Sequence, residues 1–173
     1  MYFCRKITVV SVDNQKSVKI TAYTDGSALG NPGPGGYGVI LESGIYRKEF
    51  SQGFRCTTNN RMELLAVITA LEALKYPQCR ITIYTDSQYV VNAVEKKWLW
   101  GWEKKRFAGK KNADLWIRFL KIYPCHEVRL AWIKGHAGHP DNERCDRLAV
   151  AAAQGSCLFI DKGYMEGLTK KGE

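Results

Sequence analysis

The sequence predicts an α/β domain in which helices pack against a mixed β-sheet. Two observations indicate this class. The first β-prone segments follow one another through a turn-rich loop and a short hairpin, whereas the later ones alternate with helical segments rich in Leu and Ala. Strands joined by a hairpin are antiparallel, and strands separated by helices are usually parallel. We therefore expect a sheet that contains both kinds of pairing.

Five segments have the β-branched and aromatic residues that are typical of strands. They are residues 18–24, 37–41, 45–53, 80–85 and 127–133. Residues 42–44 (Glu-Ser-Gly) predict a hairpin between the second and third strands. Residues 30–36 (Gly-Asn-Pro-Gly-Pro-Gly-Gly) predict a loop that is neither helix nor strand, because Gly and Pro favour turns.

Five other segments are predicted to be helices. They are residues 61–74, 88–95, 98–105, 113–122 and 142–154. Residues 57–60 (Thr-Thr-Asn-Asn) offer N-cap side chains to the first helix, and Ser87 offers one to the second. Pro77 and Pro124 lie just beyond the ends of the first and fourth helices, where proline is typical.

The composition excludes several classes of protein. The chain has 173 residues, of which 45% are apolar and 25% charged, which is typical of a globular domain and not of a disordered or collagen-like chain. No apolar run approaches the roughly 18 residues of a membrane span, and we expect no secretory signal. None of the six cysteines forms a CxxC pair, so a zinc cluster is not expected. We expect reduced thiols and a cytoplasmic location.

Two thirds of the net charge lies in one segment. The chain carries 26 Lys and Arg against 17 Asp and Glu, a net charge of +9. Residues 96–111 contain seven basic residues and one acidic residue, interleaved with Trp98, Trp100, Trp102 and Phe107. Cations that neutralise phosphates, together with rings that stack on sugars or bases, favour nucleic-acid binding. An ordinary solvated helical surface would have the same charges, so both interpretations stay open here.

Two acidic residues follow similar strand sequences. Asp25 lies in residues 23–27 (Tyr-Thr-Asp-Gly-Ser) and Asp86 in residues 84–87 (Tyr-Thr-Asp-Ser), each at the carboxyl end of a predicted strand. Functional sites assemble at that edge of α/β sheets. If the two strands are parallel neighbours, both carboxylates lie at the same edge. Aspartates that only form turns or caps are also common there.

A third carboxylate is predicted to face the sheet. Glu63 shares one stripe of its helix with Val67, Ala70 and Leu74, whereas Arg61 falls on the opposite side. A buried carboxylate needs a cation or a proton. The alternative is a glutamate that only interacts with the helix dipole near the N-terminus.

Two further candidates lie near the last predicted helix. Asp146 is one turn into that helix, and His136 precedes it in a loop flanked by Gly135 and Gly138. Each has a structural alternative, since acids are common in first helical turns and single loop histidines are often inert.

Several carboxylates at one edge cannot all be ionised without a counter-charge. Hard oxygen ligands without Cys or paired His select Mg²⁺, with Mn²⁺ as the alternative, over Zn²⁺. Beside a surface that binds phosphates, such a site favours phosphodiester hydrolysis. Two ions about 4 Å apart can hold the attacking water and stabilise the leaving oxygen.

These residues belong to five motifs that occur together in this order. They are residues 24–27 (TDGS), 30–38 (GNPGPGGYG), 57–64 (TTNNRMEL), 85–90 (TDSQYV) and 135–146 (GHAGHPDNERCD). With them the sequence resembles the type 1 ribonucleases H, and in particular the bacterial ones, over roughly residues 19–164. The resemblance implies a five-stranded mixed sheet of order 3-2-1-4-5, flanked by helices.

The resemblance also implies an activity: endonucleolytic hydrolysis of the RNA strand of RNA–DNA hybrids by a two-metal mechanism, leaving 5′-phosphate and 3′-hydroxyl ends. By resemblance, Asp25, Glu63, Asp86 and Asp146 are the catalytic metal ligands for Mg²⁺ or Mn²⁺. His136 matches a loop histidine that transfers protons or assists product release.

Substrate contacts are implied for ten residues. Those matching the RNA side are Asn31, Asn59, Asn60 and Gln88. Those matching the DNA side are Thr58 and Asn112 at a phosphate pocket, Trp98 and Trp102 in an aromatic channel, and Lys104 and Lys105 in the basic segment. The sequence departs from the family pattern at Cys56, where some relatives place an arginine, and in a shorter basic segment.

We expect three regions and a monomer. Residues 1–17 form an N-terminal extension, residues 18–154 the catalytic domain, and residues 155–173 a C-terminal tail. The two alternatives are a non-catalytic nucleic-acid-binding module and an integrase-like polynucleotidyl transferase. The four acidic residues argue against the first alternative, because a pure binder needs no acidic cluster that repels phosphates.

Overall fold

The computed structural model of the protein describes residues 19–169. The predicted N-terminal extension, residues 1–17, lies outside the described residues. The strands are β1 (Lys19–Ala28), β2 (Gly33–Ser43), β3 (Tyr46–Thr57), β4 (Arg80–Thr85) and β5 (Glu127–Trp132). The helices are α1 (Asn59–Glu72), α2 (Gln88–Glu95), α3 (Trp98–Lys104), α4 (Ala113–Ile122), α5 (Pro140–Gln154) and α6 (Lys162–Thr169).

The strands form a single sheet in the order β3-β2-β1-β4-β5, which confirms the predicted fold. Strand β2 pairs antiparallel with β1 and, through the predicted hairpin, with β3, whereas β4 pairs parallel with both β1 and β5. The central strand β1 therefore joins the hairpin half of the sheet to the helix-connected half.

The predicted loop at residues 30–36 is partly wrong, because β2 begins at Gly33. Its first residues continue the ladder with β1, where Gly35 pairs with Ala28 and Gly36 with Ser27. A Cβ at Gly35 would lie 2.6 Å from the Thr57 side chain. Glycine is needed here for close packing inside a strand, and the sequence pattern alone does not separate that need from a turn.

The end of β1 also differs from the prediction. The strand continues through Asp25 to Ala28, paired only with β2, whereas its pairing with β4 stops at the pair Thr24–Thr85. Asp25 and Asp86 are therefore the next residues of two parallel neighbours after their last shared pair. The predicted common edge is present, although Asp25 itself lies within a strand.

Helix boundaries shift by a few residues. Helix α1 begins at Asn59 instead of residue 61, and α5 begins with Pro140, a residue suited to a first helical turn. The predicted tail contains an element that the sequence did not reveal, helix α6. The segment before α6 forms a bridge between Phe159 and Phe54 of β3, which ties it to the sheet.

Helices α1 and α5 cover opposite faces of the sheet. A Cβ at Gly26 would meet α1 at the Glu63 nitrogen, 2.1 Å away, and a Cβ at Gly38 would meet α5 at the Cys145 carbonyl oxygen, 2.1 Å away. Gly26 pairs with Tyr37, the neighbour of Gly38, and neighbouring residues of a strand point to opposite faces. The two helices thus approach the sheet at adjacent positions from both sides.

The core joins one side of the sheet to α1 and α4. Its largest fully buried side chains include Met62, Leu64, Ile68, Ile81, Ile83, Trp116 and Phe119. Phe107, which the sequence grouped with the aromatics of the basic segment, is also buried in this core. Within residues 19–169 no helix is long and apolar enough to cross a membrane.

Replacing Gly38 with Ala tests the close approach of α5. The new Cβ would overlap the Cys145 carbonyl, which is backbone and cannot rotate away. We expect Gly38→Ala to lower the free energy of unfolding by about 1–3 kcal/mol, as overpacking does. Urea unfolding followed by circular dichroism measures the change.

Gly101→Ala is the matched control. Gly101 lies in α3 with nothing within 4 Å of the added Cβ. This variant should be neutral or more stable by up to about 1 kcal/mol, because Ala has the higher helix propensity. Equal unfolding midpoints for the two variants would show that α5 does not need the glycine.

Candidate active site

Asp25 is the buried centre of the acidic edge. Asp25 is 8% exposed. It pairs with Gly38 of β2, the position at which α5 crosses the sheet. The backbone N–H of Gly26 donates to Asp25 Oδ1 at 2.7 Å. The other carboxylates reach this position from three separate elements.

A glycine lies at a close contact beside each of these three acids. Gly26 admits α1 and therefore Glu63, and Gly38 admits α5 at Cys145, the residue before Asp146. A Cβ at Gly135 would lie 2.4 Å from Asp86 Oδ2, so the loop after β5 touches that carboxylate. A glycine beside the approach to each acid is a signal in the sequence that the acidic motifs alone do not reveal.

Two hydrogen bonds fix Glu63. Asn59 Nδ2 donates to its Oε1 at 2.7 Å, and the Ser87 hydroxyl donates to its Oε2. Burial raises the pKa of Glu63 above its usual range, and the charge of Asp86 raises it further. The Ser87 hydroxyl also accepts from the Val90 N–H at 3.3 Å as the N-cap of α2, so one side chain joins the helix start to the glutamate.

Asp86 and Asp146 complete the set. Asp86 directly follows β4, and its carbonyl accepts a hydrogen bond from Trp132 Nε1 at 3.1 Å. Asp146 lies in α5 and is half-buried. The neighbouring Cys145 thiol donates to the Tyr23 carbonyl at 3.2 Å, which holds this part of α5 against β1.

The four carboxylates interact through their charges. Burial, together with the smaller effects of the charges of Asp86, Asp146 and Glu63, raises the pKa of Asp25 to about 8. The structure therefore brings all four predicted acids to one site, and without a counter-charge Asp25 is protonated at neutral pH.

The donor set suits a hard divalent cation. All four side chains offer carboxylate oxygens, which Mg²⁺ prefers. The side chains do not form a preformed cage, because within the described residues no group of three or more His, Cys, Asp or Glu is arranged to hold an ion. The fit is chemical: a cation would stabilise the ionised form of Asp25, which burial and the neighbouring carboxylates disfavour.

His136 lies in the exposed loop before α5. Its backbone has a φ of 51°, in the left-handed region. The preceding Gly135 is the residue that touches Asp86, so the loop is anchored at the acidic edge while the histidine side chain is exposed. The structure thus places His136 beside the site, on the solvent side of the acids.

The residues predicted on the RNA side lie around the start of α1 and α2. Asn31 Oδ1 accepts from the Asn59 N–H at 3.1 Å, which ties the loop after β1 to α1. Asn59 also holds Glu63, so it connects that loop to the acidic site. Asn60 and Gln88 are exposed in the first turns of α1 and α2.

The two residues predicted at a phosphate pocket are both N-caps. Thr58 precedes α1 and Asn112 precedes α4, and neither side chain makes the usual capping bond. Asn112 Nδ2 donates instead to the Tyr89 hydroxyl at 3.1 Å, and its Oδ1 accepts from Arg61 at 3.5 Å. Helix N-termini attract anions, and the contact between Arg61 of α1 and Asn112 joins the starts of the two helices. Cys56 is half-buried.

The basic segment divides into exposed and packed residues. Trp98 is 47% exposed, and Lys96 Nζ lies 5.0 Å from the centre of its ring. Trp102 is half-buried against Trp116, with ring centres 5.8 Å apart. Lys104 and Lys105 are exposed. Trp98 therefore offers the freer aromatic surface, whereas Trp102 serves partly as core.

Known proteins match both the sequence and the fold. A sequence model of the ribonuclease H family matches residues 17–154. The ribonuclease H of Desulforamulus reducens is 56% identical over 153 residues, which cover 86% of this chain and 96% of that protein. Among solved structures, LC9-RNase H1, a type 1 RNase H with the type 2 active-site motif, aligns with a TM-score of 0.74 and 34% identity, over 88% of this chain and 82% of that one.

A second structure was solved with a nucleic acid. LC11-RNase H1 in complex with an RNA/DNA hybrid aligns with a TM-score of 0.56 and 26% identity, over 78% of this chain and 96% of that one. The sheet order, the acidic edge and these matches together define a nuclease of the ribonuclease H class.

The chain belongs to the ribonuclease H family, and it is an enzyme of the bacterial type. This membership decides against the non-catalytic binding module and the integrase-like transferase.

Replacing Asp25 with Asn tests the electrostatics of the site without metal. Because the folded pKa of about 8 is above the ordinary 3.8, the folded state binds more protons in between, and wild-type stability falls as the pH rises through that window. A difference of one in pKa changes the free energy of unfolding by about 1.4 kcal/mol. We expect Asp25→Asn to match wild type near pH 4 and to be more stable by roughly 2 kcal/mol or more at pH 8.

Urea unfolding in EDTA at a series of pH values measures the difference. Glu103→Gln, which removes an exposed carboxylate of α3, is the control and should show no such trend. An Asp25→Asn variant that is less stable than wild type at pH 8 would contradict the carboxylate repulsion.

Proposed function

We propose that this enzyme hydrolyses the RNA strand of RNA–DNA hybrids and leaves 5′-phosphate and 3′-hydroxyl ends. Two Mg²⁺ ions, or Mn²⁺, would be held by Asp25, Glu63, Asp86 and Asp146. The observation that carries the proposal is the convergence of three carboxylates on the buried Asp25, whose pKa is raised to about 8. The hybrid bound to LC11-RNase H1 supports the substrate.

The bound ions would supply a Lewis acid and an activated water at the scissile phosphate. The protein's own residues supply positioning. Asn59 and Ser87 hydrogen-bond the two oxygens of Glu63, so that its carboxylate keeps one orientation instead of rotating freely. His136, on the loop anchored at Asp86 by Gly135, is suited to move a proton at the edge of the site.

Selection of the RNA strand is assigned to Asn31, Asn59, Asn60 and Gln88. Amide side chains donate and accept hydrogen bonds, as recognition of a 2′-hydroxyl requires. The bond between Asn31 and the Asn59 N–H supports this role, because it fixes the loop after β1 beside Glu63. A 2′-hydroxyl bound there would place the RNA strand, and not the DNA strand, at the acidic site.

Contacts to the DNA strand are assigned to a second surface. Thr58 and Asn112 would bind a phosphate between the starts of α1 and α4, with Trp98 and Trp102 packing on sugars or bases. Lys104 and Lys105 would neutralise phosphates farther along the duplex. The monomeric state and the cytoplasmic location remain predictions from the sequence.

Incubation of labelled substrates tests the activity. We expect Mg²⁺-dependent cleavage of an RNA–DNA hybrid within its RNA strand, no cleavage of double-stranded RNA or DNA, and complete loss with EDTA. Asp25→Asn, which removes the central carboxylate, should abolish cleavage while the circular dichroism spectrum is unchanged. Equal cutting of all three duplexes would refute the assigned specificity, and product ends other than 5′-phosphate would refute the assigned chemistry.

Neutralising the basic segment tests the nucleic-acid surface. The triple change of Lys104, Lys105 and Lys111 to Gln should weaken hybrid binding in EDTA. It should also reduce the slope of log Kd against log salt by about 1 for each phosphate that the variant no longer neutralises. Fluorescence anisotropy with a labelled hybrid measures both quantities.

A matched control removes the same charge elsewhere. Lys19, Lys48 and Lys75 are exposed and lie outside the basic segment. Changing these three to Gln should leave the salt slope nearly unchanged. If both triple variants reduce the slope equally, net charge and not a specific surface governs binding.

A further inference from the structure

Helix α1 contains a buried cation that the proposed chemistry does not use. Arg61 is 3% exposed and lies between two carboxylates, Asp161 before α6 and Asp114 at the start of α4. Asp161 is 7% exposed, whereas Asp114 is 43% exposed. The cluster therefore joins three parts of the chain: α1, α4 and the C-terminal segment.

Every N–H of the Arg61 guanidinium has an acceptor. Nε and Nη2 donate to Asp161 at 2.8 and 2.7 Å, and Nη1 and Nη2 each donate to Asp114 at 2.8 Å. The remaining Nη1 hydrogen points to Asn112 Oδ1 at 3.5 Å. Because a guanidinium has five N–H groups and all five are engaged, Arg61 has none left for a substrate phosphate.

Asp161 is surrounded by donors alone. Its Oδ2 accepts from the Thr57 hydroxyl at 2.7 Å and from Arg61 Nε, and its Oδ1 accepts from Arg61 Nη2 and from the Tyr164 N–H at 3.1 Å. Only a carboxylate has two acceptor oxygens that can serve these four donors. An asparagine in either orientation would direct its NH₂ group at a donor.

Both of the proposed phosphate ligands are attached to this cluster. Thr57, which donates to Asp161, is the residue before Thr58. Arg61, which Asp161 orients, contacts the Asn112 side chain, and Tyr89 holds the other end of that amide. One carboxylate in the C-terminal segment is thus connected to the residues on both sides of the pocket.

We propose that Asp161 is a positioning residue for the DNA strand: through Thr57 and Arg61 it fixes the spacing of Thr58 and Asn112 around one DNA phosphate. This inference rests on the proposed function, in which those two residues bind that phosphate. The cluster has one cation and two carboxylates, so it does not attract an anion. Asp161 therefore acts through the positions of Thr58 and Asn112 and not through charge, so its loss should weaken binding of the hybrid.

Steady-state kinetics of Asp161→Asn on an RNA–DNA hybrid test the proposal. Removal of a negative charge alone would tighten binding, whereas loss of positioning weakens it. We expect KM to rise about 5-fold, as for one lost hydrogen bond, with kcat within about 2-fold of wild type. An unchanged or lower KM, or a fall in kcat alone, would overturn the proposal.

A substrate series separates positioning from general loosening of the fold. Each hybrid has one phosphate of the DNA strand replaced by an uncharged methylphosphonate. For wild type, one position relative to the cut should raise KM more than the others, and Asp161→Asn should lose that sensitivity. A variant that keeps the wild-type profile would overturn the proposal, whatever its stability.

Two further variants serve as control and reserve. Glu72→Gln weakens the ion pair with Arg118, which also joins α1 to α4, and it changes the net charge in the same direction as Asp161→Asn; it should not raise KM and should keep the wild-type profile. If Asp161→Asn does not fold, Asp114→Asn alters the more exposed carboxylate of the same cluster. It should then raise KM and flatten the profile, and failure to do either would overturn the proposal.

The pocket itself is tested by Thr58→Ala and Asn112→Ala. If these variants keep the wild-type KM and methylphosphonate profile, the assignment of the pocket is wrong. If they raise KM while Asp161→Asn does not, the pocket stands and only the positioning role fails.

Discussion

The buried charge of Asp25 governs the arrangement of the site. A carboxyl group that is 8% exposed and lies near three other acids is stable only with a proton or a cation. Gly26 and Gly38 let α1 and α5, which carry Glu63 and Asp146, come within backbone contact of the sheet. Asp86 lies at the same edge because β4 pairs with β1 up to the residue before it. The fold thus stabilises an arrangement of like charges that none of its elements would favour alone.

Helix α1 gives two different environments to residues two positions apart. Glu63 faces the acidic edge, held by Asn59 and Ser87, whereas Arg61 faces α4 and the C-terminal segment. Two residues along a helix correspond to a rotation of about 200°, so Arg61 and Glu63 point to opposite sides of the same helical turn. The start of α1 therefore links the proposed cleavage site to the proposed DNA pocket through a rigid element.

The sequence predicted what depends on local patterns. Local patterns predicted Asp25 and Asp86 at one edge of the sheet and Glu63 on the helix face toward it. The strand order and the inclusion of Asp146 came from the resemblance to the ribonuclease H family. The predicted loop at residues 30–36 was wrong in part, because glycines needed for close packing look like turn formers.

Local patterns do not predict contacts between residues that are far apart in the sequence. The buried partner of Arg61 is 100 residues away, and no local rule connects them. The burial of Phe107 likewise depends on how the loop after α3 folds back onto the core. The role of α6 was missed for the same reason, since its segment has no motif of its own and gains its place through Asp161 and Phe159.

The position of Asp161 has a consequence for where this enzyme can be divided. The match to the family ends at residue 154, so a fragment trimmed to that boundary would keep every acid of the cleavage site. The same fragment would lack Asp161, the more buried of the two carboxylates that pair with Arg61. Breaking a buried ion pair by removing one partner costs about 3–5 kcal/mol. We therefore expect the smallest unit that folds by itself to extend beyond residue 154.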